Sequence, residues 1–243
     1  MKNIFTHKRW WVLLFFAVII FSPPSYAKES GVYYGASIEQ FEYRLSDKSG
    51  ESFNWNGSAL IGTDEINLEW YASGEINTKS GDKEELENRI MLSKPLSTFF
   101  NAKAGVRLDT PSKEEDRLYG VIGMTGLAPQ WIEVDADIFF SEKGNTSARL
   151  DAEYELLITN YLILQPSVDI NFAFSDDKAI GVGSGLNSIE AGLRLSYDLV
   201  DRTLSPYIGI SLGKTFGKTA DMAREEGKDL TNVSFVIGSR FMF

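Results

Sequence analysis

Cysteine is absent from this chain, and histidine occurs once, at His7. Without thiols there is no disulfide framework and no thiolate chemistry. His7 lies in a segment read below as a cleaved leader, so the exported chain is expected to have no imidazole either. Ser-His-Asp and Cys-His catalysis, and zinc sites of the Cys/His type, are thereby excluded. No enzyme activity is expected. Methionine is sparse: after Met1 the thioethers are Met91, Met124, Met222 and Met242. Positive charge is also short, with 24 Lys and Arg against 34 Asp and Glu and a formal net charge of -10. That balance disfavours nucleic acid as a partner, because its binders need basic patches, and it favours cations.

Long apolar runs are missing too, apart from Trp10 to Phe21. That run is shorter than the roughly 20 residues a helical span requires. It follows Lys2, Lys8 and Arg9 and precedes Pro23-Pro24 and the small-x-small pattern Ser25-Tyr26-Ala27. These features predict a secretory signal peptide over 1–27, cut after Ala27. Its removal takes away three basic residues and no acidic one, which leaves the domain 28–243 more acidic than the whole.

What the chain has in quantity is period-2 alternation. Ile132, Val134, Ala136, Ile138 and Phe140 alternate with Glu133, Asp135, Asp137, Phe139 and Ser141. After the turn Glu142–Asn145, Ala148, Leu150, Ala152, Tyr154 and Leu156 alternate with Arg149, Asp151, Glu153 and Glu155. Successive side chains on a strand point to opposite faces, so this is a hairpin with one apolar and one acidic face. Strands are predicted near 32–44, 53–61, 66–74, 85–93, 99–108, 118–127, 131–141, 147–157, 161–173, 188–198, 206–215 and 231–243. Twelve result, or ten if the pair 53–61 and 66–74 is discounted. The phases of 32–44 and 118–127 are ambiguous, and a helical turn is possible at Ala220 to Glu226.

Connections alternate between short (GTDE, KPLST, APQ, ITN) and longer, polar ones, with the tight SEKGNT turn as the exception. Short-long alternation around an even number of strands is the pattern of an antiparallel transmembrane outer-membrane β-barrel. The last strand carries Val233, Phe235, Ile237, Phe241 and Phe243 on one face, ending on an aromatic residue. Phe53, Phe99, Phe100, Trp131, Tyr161 and Tyr207 are placed for an interfacial girdle. A closed barrel also leaves no exposed strand edge. The fold class expected is therefore all-β, a single outer-membrane barrel over 28–243 in a Gram-negative cell, with membrane lipid around it.

In such a barrel the acidic face lines the lumen. Candidate metal-binding side chains on it are Glu85, Glu87, Met91, Glu133, Asp135, Asp137, Asp151, Glu153, Glu155 and Asp169. Strands lie about 4.8 Å apart, so carboxylates on neighbouring strands could meet one cation. A cluster of negative charge inside a low-dielectric wall concentrates cations. The other reading is lumen filling, with Arg89, Lys103, Arg107, Arg149, Arg194 and Arg240 as counter-ions. The scattered methionines suit soft copper(I) poorly, and oxygen donors point to copper(II) or another divalent ion.

The runs APQWIEVDADIFFSEKGNTSARLDAEYELLITNYLILQP, GVGSGLNSIEAGLRLSYDLV and PYIGISLGKTFGKTADMAREEG resemble the copper resistance protein B family of outer-membrane proteins. So do SIEQFEYR, EELENRIMLSKPLSTFFNAKAGVR and the ending FVIGSRFMF. The resemblance implies a barrel in copper resistance or copper homeostasis, with copper ion as its ligand and periplasmic copper proteins as possible partners. Members often carry a Met- and His-rich segment before the barrel. Here only Lys28 to Gly31 separate the cleavage pattern from the first strand, so a copper role is expected to rest on the barrel, taken as a monomer. The competing expectation is a structural or weakly cation-permeable barrel without copper specificity.

Overall fold

The computed structural model describes residues 31–48, 50–78, 83–111, 115–200 and 202–243, with backbone alone at 83–85. The leader predicted at 1–27 lies outside the described residues. The unit Val32–Phe243 is built from strands β1 (Tyr33–Ser46), β2 (Glu51–Gly62), β3 (Asn67–Asn77), β4 (Lys83–Pro95), β5 (Phe100–Asp109), β6 (Arg117–Ala128) and β7 (Ile132–Ser141). Then follow β8 (Thr146–Glu153, continued by Leu156–Leu157), β9 (Leu162–Ala173), β10 (Gly185–Tyr197), β11 (Leu204–Thr215) and β12 (Thr231–Met242). One α-helix, α1 (Gly217–Glu225), replaces the turn expected at Ala220 to Glu226.

Each strand pairs antiparallel with the next, and β12 closes on β1, with Ser37 opposite Met242 and Ser46 opposite Ser234. The pair β2–β3 is fully formed, which settles the count at twelve rather than ten. Closure satisfies the backbone of both terminal strands, as hydrocarbon demands. Phe243 completes the seam by exchanging two backbone hydrogen bonds with Ala36, at 2.8 and 3.1 Å.

Alternation in sequence becomes inside and outside. On β6, Val121 is 2% exposed and its neighbour Ile122 50%, so the phase that was ambiguous in sequence is fixed: odd residues face the lumen. The ambiguity of β1 has a different cause. A bulge between Ile38 and Phe41 resets its parity, turns both Glu39 and Gln40 toward the lumen and buries Glu42 completely. An extra residue in one strand does this wherever it occurs. Tyr207, expected in the girdle, points inward instead and donates its hydroxyl to Glu42 at 3.0 Å. Met242, on the inward parity by count, is exposed at the strand end.

β8 is interrupted at Tyr154–Glu155 because of its partner. The Tyr154 amide donates to the Pro166 carbonyl at 3.1 Å, but Pro166 has no N–H to return the bond. At the turn between β7 and β8, Gly144 supplies the left-handed conformation (φ +88°) that a tight hairpin needs.

At the long-loop end, the segment after β9 folds against α1. Gly183 N–H donates to the Thr219 hydroxyl at 2.9 Å, and Lys218 Nζ reaches both Asp176 oxygens at 3.1 Å. Asp176 also accepts the Ser184 amide at 2.7 Å. That amide, the Ser184 hydroxyl and Lys218 together hold the Asp176 carboxyl down to about 2 from 3.8. A depressed folded-state value means the contact is complete above pH 4 and is lost only as pH falls through about 2. The Ser184 amide proton chemical shift is therefore expected to stay unchanged at pH 3 and to move as pH falls through about 2. A shift centred on pH 4 would show that these bonds do not hold the carboxylate.

Candidate functional site

The inward side chains of twelve strands meet in the lumen, where contacts between strands that are not sheet neighbours must cross the interior. Several such contacts form among the described residues, and two networks of them border the cavity described below. In the first, Glu87 on β4 accepts from Arg149 on β8 at 3.1 and 3.2 Å and pairs with Arg107 at 2.9 Å and Arg89 at 3.1 Å. Arg89 also reaches Asp137 on β7 at 2.7 Å. Lys103 on β5 binds Asp135 at 2.6 Å and Asp137 at 3.0 Å. The guanidinium of Arg107 lies 4.7 Å from the Phe139 ring centroid, and that of Arg89 4.9 Å from Tyr71, which adds cation–π attraction to the ion pairs. Gly123 is what lets β6 pass this close, since a Cβ there would run into the Asp137 carboxylate.

In the second network, Glu42 accepts from Arg44 at 2.6 Å and from Arg194 on β10 at 3.1 Å. Arg44 continues to Glu190 on β10 at 3.0 Å, and Ser211 donates to the same carboxylate at 2.7 Å. β11 and β12 lie between β10 and β1, so this network too bridges the interior.

Beside these networks lies a cavity of about 590 Å³. Its charged lining is Glu39, Glu133, Asp135, Asp151, Glu153, Asp169 and Glu190 against Arg44, Arg89, Arg149 and Arg194. The register explains why the acid collects on one wall. Asp135 sits opposite Asp151, Asp151 opposite Asp169, and Asp169 opposite Glu190, which makes one rung of four carboxylates across β7 to β10. The next rung toward the short turns pairs Glu133 with Glu153. Lys103 takes up Asp135 and Arg44 takes up Glu190. Among the described residues, Glu133, Asp151 and Asp169 make no ion pair with a lysine or arginine. Like charges placed directly opposite each other repel, and the middle of the rung is eased by hydrogen bonds rather than ion pairs, Asn171 donating to Asp169.

The ten residues singled out in the sequence thus divide. Glu133, Asp135, Asp151, Glu153 and Asp169 line the cavity. Glu87 and Asp137 are consumed by the first network. Glu155 binds Arg240 at 2.8 Å and Arg202 at 3.1 Å. Met91 is fully buried in an apolar cluster with Tyr119, Val121 and Phe139, and none of the other described methionines joins it. The side chain of Glu85 lies outside the described residues, though its backbone pairs with Glu75. Among the described residues no three of His, Cys, Asp and Glu are close enough to hold a single metal ion. Glu39, Glu42 and Glu190 escaped notice in the sequence. The bulge hid the first two, and Glu190 carried the signal of a charged residue on the inward parity of its strand.

The fold has relatives among solved porins. The chain is similar to the KdgM porin (12% identity, TM-score 0.50, covering 85% of this chain and 99% of that one) and the NanC porin (11% identity, TM-score 0.56, 85% and 98%). In sequence it is 35% identical over 215 residues to copper resistance protein B of Escherichia coli, covering 88% of this chain and 71% of that protein. It is 36% identical over 194 residues to a copper resistance protein B homolog of Pseudomonas syringae pv. tomato, covering 80% of this chain and 65% of the relative. The family model for the copper resistance protein B precursor (CopB) matches residues 32–243, the whole of the barrel, and the chain belongs to that family.

Proposed function

We propose that this barrel serves copper resistance as a monomer of the outer membrane that gathers copper(II) ions in its lumen, between the outside and the periplasm. Its family membership supports the copper role. The observation that carries the lumen reading is the rung Asp135–Asp151–Asp169–Glu190, whose two central carboxylates face the cavity without a cation. Clustered carboxyl groups set in a low-dielectric wall raise the local concentration of a divalent cation. With no group of three ligands among the described residues, the ion is held by field and by paired oxygens rather than by a closed coordination shell. Loose binding suits passage, since an ion that must leave again is poorly served by a tight cage. Periplasmic copper proteins would receive or supply it.

The two cross-lumen networks favour a second reading, an occluded structural barrel without copper specificity. Asp151→Asn with Asp169→Asn separates the two. Neither carboxylate makes an ion pair among the described residues and Arg149 beside them keeps Glu87, so no buried cation is left unpaired, and removing facing like charges does not cost stability. In a strain deleted for the protein, the double variant should reach parental levels of folded barrel yet fail to restore the parental copper response. Full restoration at equal barrel levels would favour the structural reading.

A further inference from the structure

Arg240 makes a contact that the copper reading does not use. It lies on β12, two residues from the strand end, opposite Ser205 at the short-turn end of the barrel. Its guanidinium donates to Glu155 at 2.8 Å and to Gln165 on β9, with Glu153 at 3.5 Å and Glu39 on β1 at 3.9 Å. Glu155 belongs to the break in β8. Between β8 and β12 stand β9, β10 and β11, so the arm of Arg240 spans a third of the sheet through the interior. Arg202, from the turn before β11, holds the other oxygen of Glu155 at 3.1 Å and ties the far end of the bridge to the barrel rim. Glu39 and Glu153 are shared between this bridge and the lining of the 590 Å³ cavity, whereas Arg240 is not part of that lining. The bridge therefore lies across the short-turn end of the cavity, as a bar across its mouth.

We propose that Arg240 is the gate of this lumen, the side chain that limits ion passage between the cavity and the short-turn side. A guanidinium keeps its charge throughout the physiological range, so the bar itself stays positive there. Two properties make it movable. Its polar contacts are all made by the guanidinium, at the end of a stem of rotatable bonds. Its carboxylate partners Glu39, Glu153 and Glu155 are partly solvated, whereas Gln165 is buried, so a competing cation or raised ionic strength weakens the ionic part of the hold. While in place, the fixed positive charge opposes cations at the mouth. Once it is displaced, Glu39, Glu133, Glu153 and Glu155 are left to favour them.

The test is single-channel recording of the full-length protein in planar bilayers in potassium chloride, with no copper present, so its outcome is independent of the copper reading. Arg240→Ala should raise conductance severalfold and shift the reversal potential toward potassium selectivity. Arg240→Lys, which keeps the charge but loses the forked contact, should fall between the two. Heat-shifted mobility on gels establishes that each variant is folded. Should Arg240→Ala fail to fold, Glu155→Gln decides, since it removes the charge of the guanidinium's closest ion-pair partner and should also raise conductance. Parental conductance and selectivity in the deciding variant, or no conductance in any form, would overturn the proposal.

Discussion

Glu87→Ala is expected to destabilise the barrel more than any other single lumen substitution. Glu87 is the shared anion of Arg89, Arg107 and Arg149, and its side chain is almost wholly enclosed. Removing it leaves three guanidinium groups facing one another around a void. Breaking a buried ion pair by deleting one partner typically costs about 3–5 kcal/mol. The shared position of Glu87 puts the expected loss at the upper part of that range. Denaturant unfolding in detergent micelles measures it, followed by the heat-dependent gel shift. Arg149→Met in the same background should recover part of the loss, because Arg89 keeps Asp137 and Arg107 keeps Asp109 while Arg149 loses its ion-pair partner. A Glu87→Ala barrel as stable as the parent would mean that the network is solvated and interchangeable.

Phe243→Asp is expected to reduce assembled barrel to a small fraction of the parental level while export continues. Phe243 is 63% exposed on the outer face and stacks on Phe241 with ring centroids 6.4 Å apart. Phe241 meets Phe41 edge-on at 6.2 Å, and Phe41 meets Phe53 at 4.7 Å. These rings form a row across the closing seam of β12, β1 and β2. A carboxylate in that row is placed against lipid, and its neighbours lose an apolar partner where the last strand must find the first. Quantifying folded and unfolded forms in outer-membrane fractions measures the effect. Parental amounts of folded barrel would show that the aromatic row plays no part in closure.

Much of the architecture was legible because lipid and lumen impose opposite demands on neighbouring residues. Ile138 and Asp137 could be assigned to different faces from parity alone, whereas the weaker alternation of 53–61 and 66–74 left the count open between ten and twelve until the pairing of β2 with β3 fixed it. Two features were hidden for physical reasons. The bulge near Ile38 changes parity without a composition signal, so Glu42 could not be placed. The break in β8 comes from Pro166 on the neighbouring strand, which no reading of β8 itself can show. The candidate site was legible only as a face. Which carboxylates are neutralised depends on contacts such as Arg149–Glu87 that skip three strands. Those are set by the diameter and stagger of the closed barrel rather than by local sequence. Hence Glu87 and Asp137, which looked like ligands, serve as counter-ions, and Asp151 and Asp169 remain available.

Copper(II) titration of the purified, folded barrel tests the central claim most directly. It compares the parent with the Glu133→Gln, Asp151→Asn, Asp169→Asn variant, measuring heat of binding and bound copper per barrel on the same preparations. The account predicts that the parent binds copper(II) in a salt-sensitive manner and that the variant, equally folded, loses that binding. Equal copper binding by parent and variant, or none by either, would contradict it.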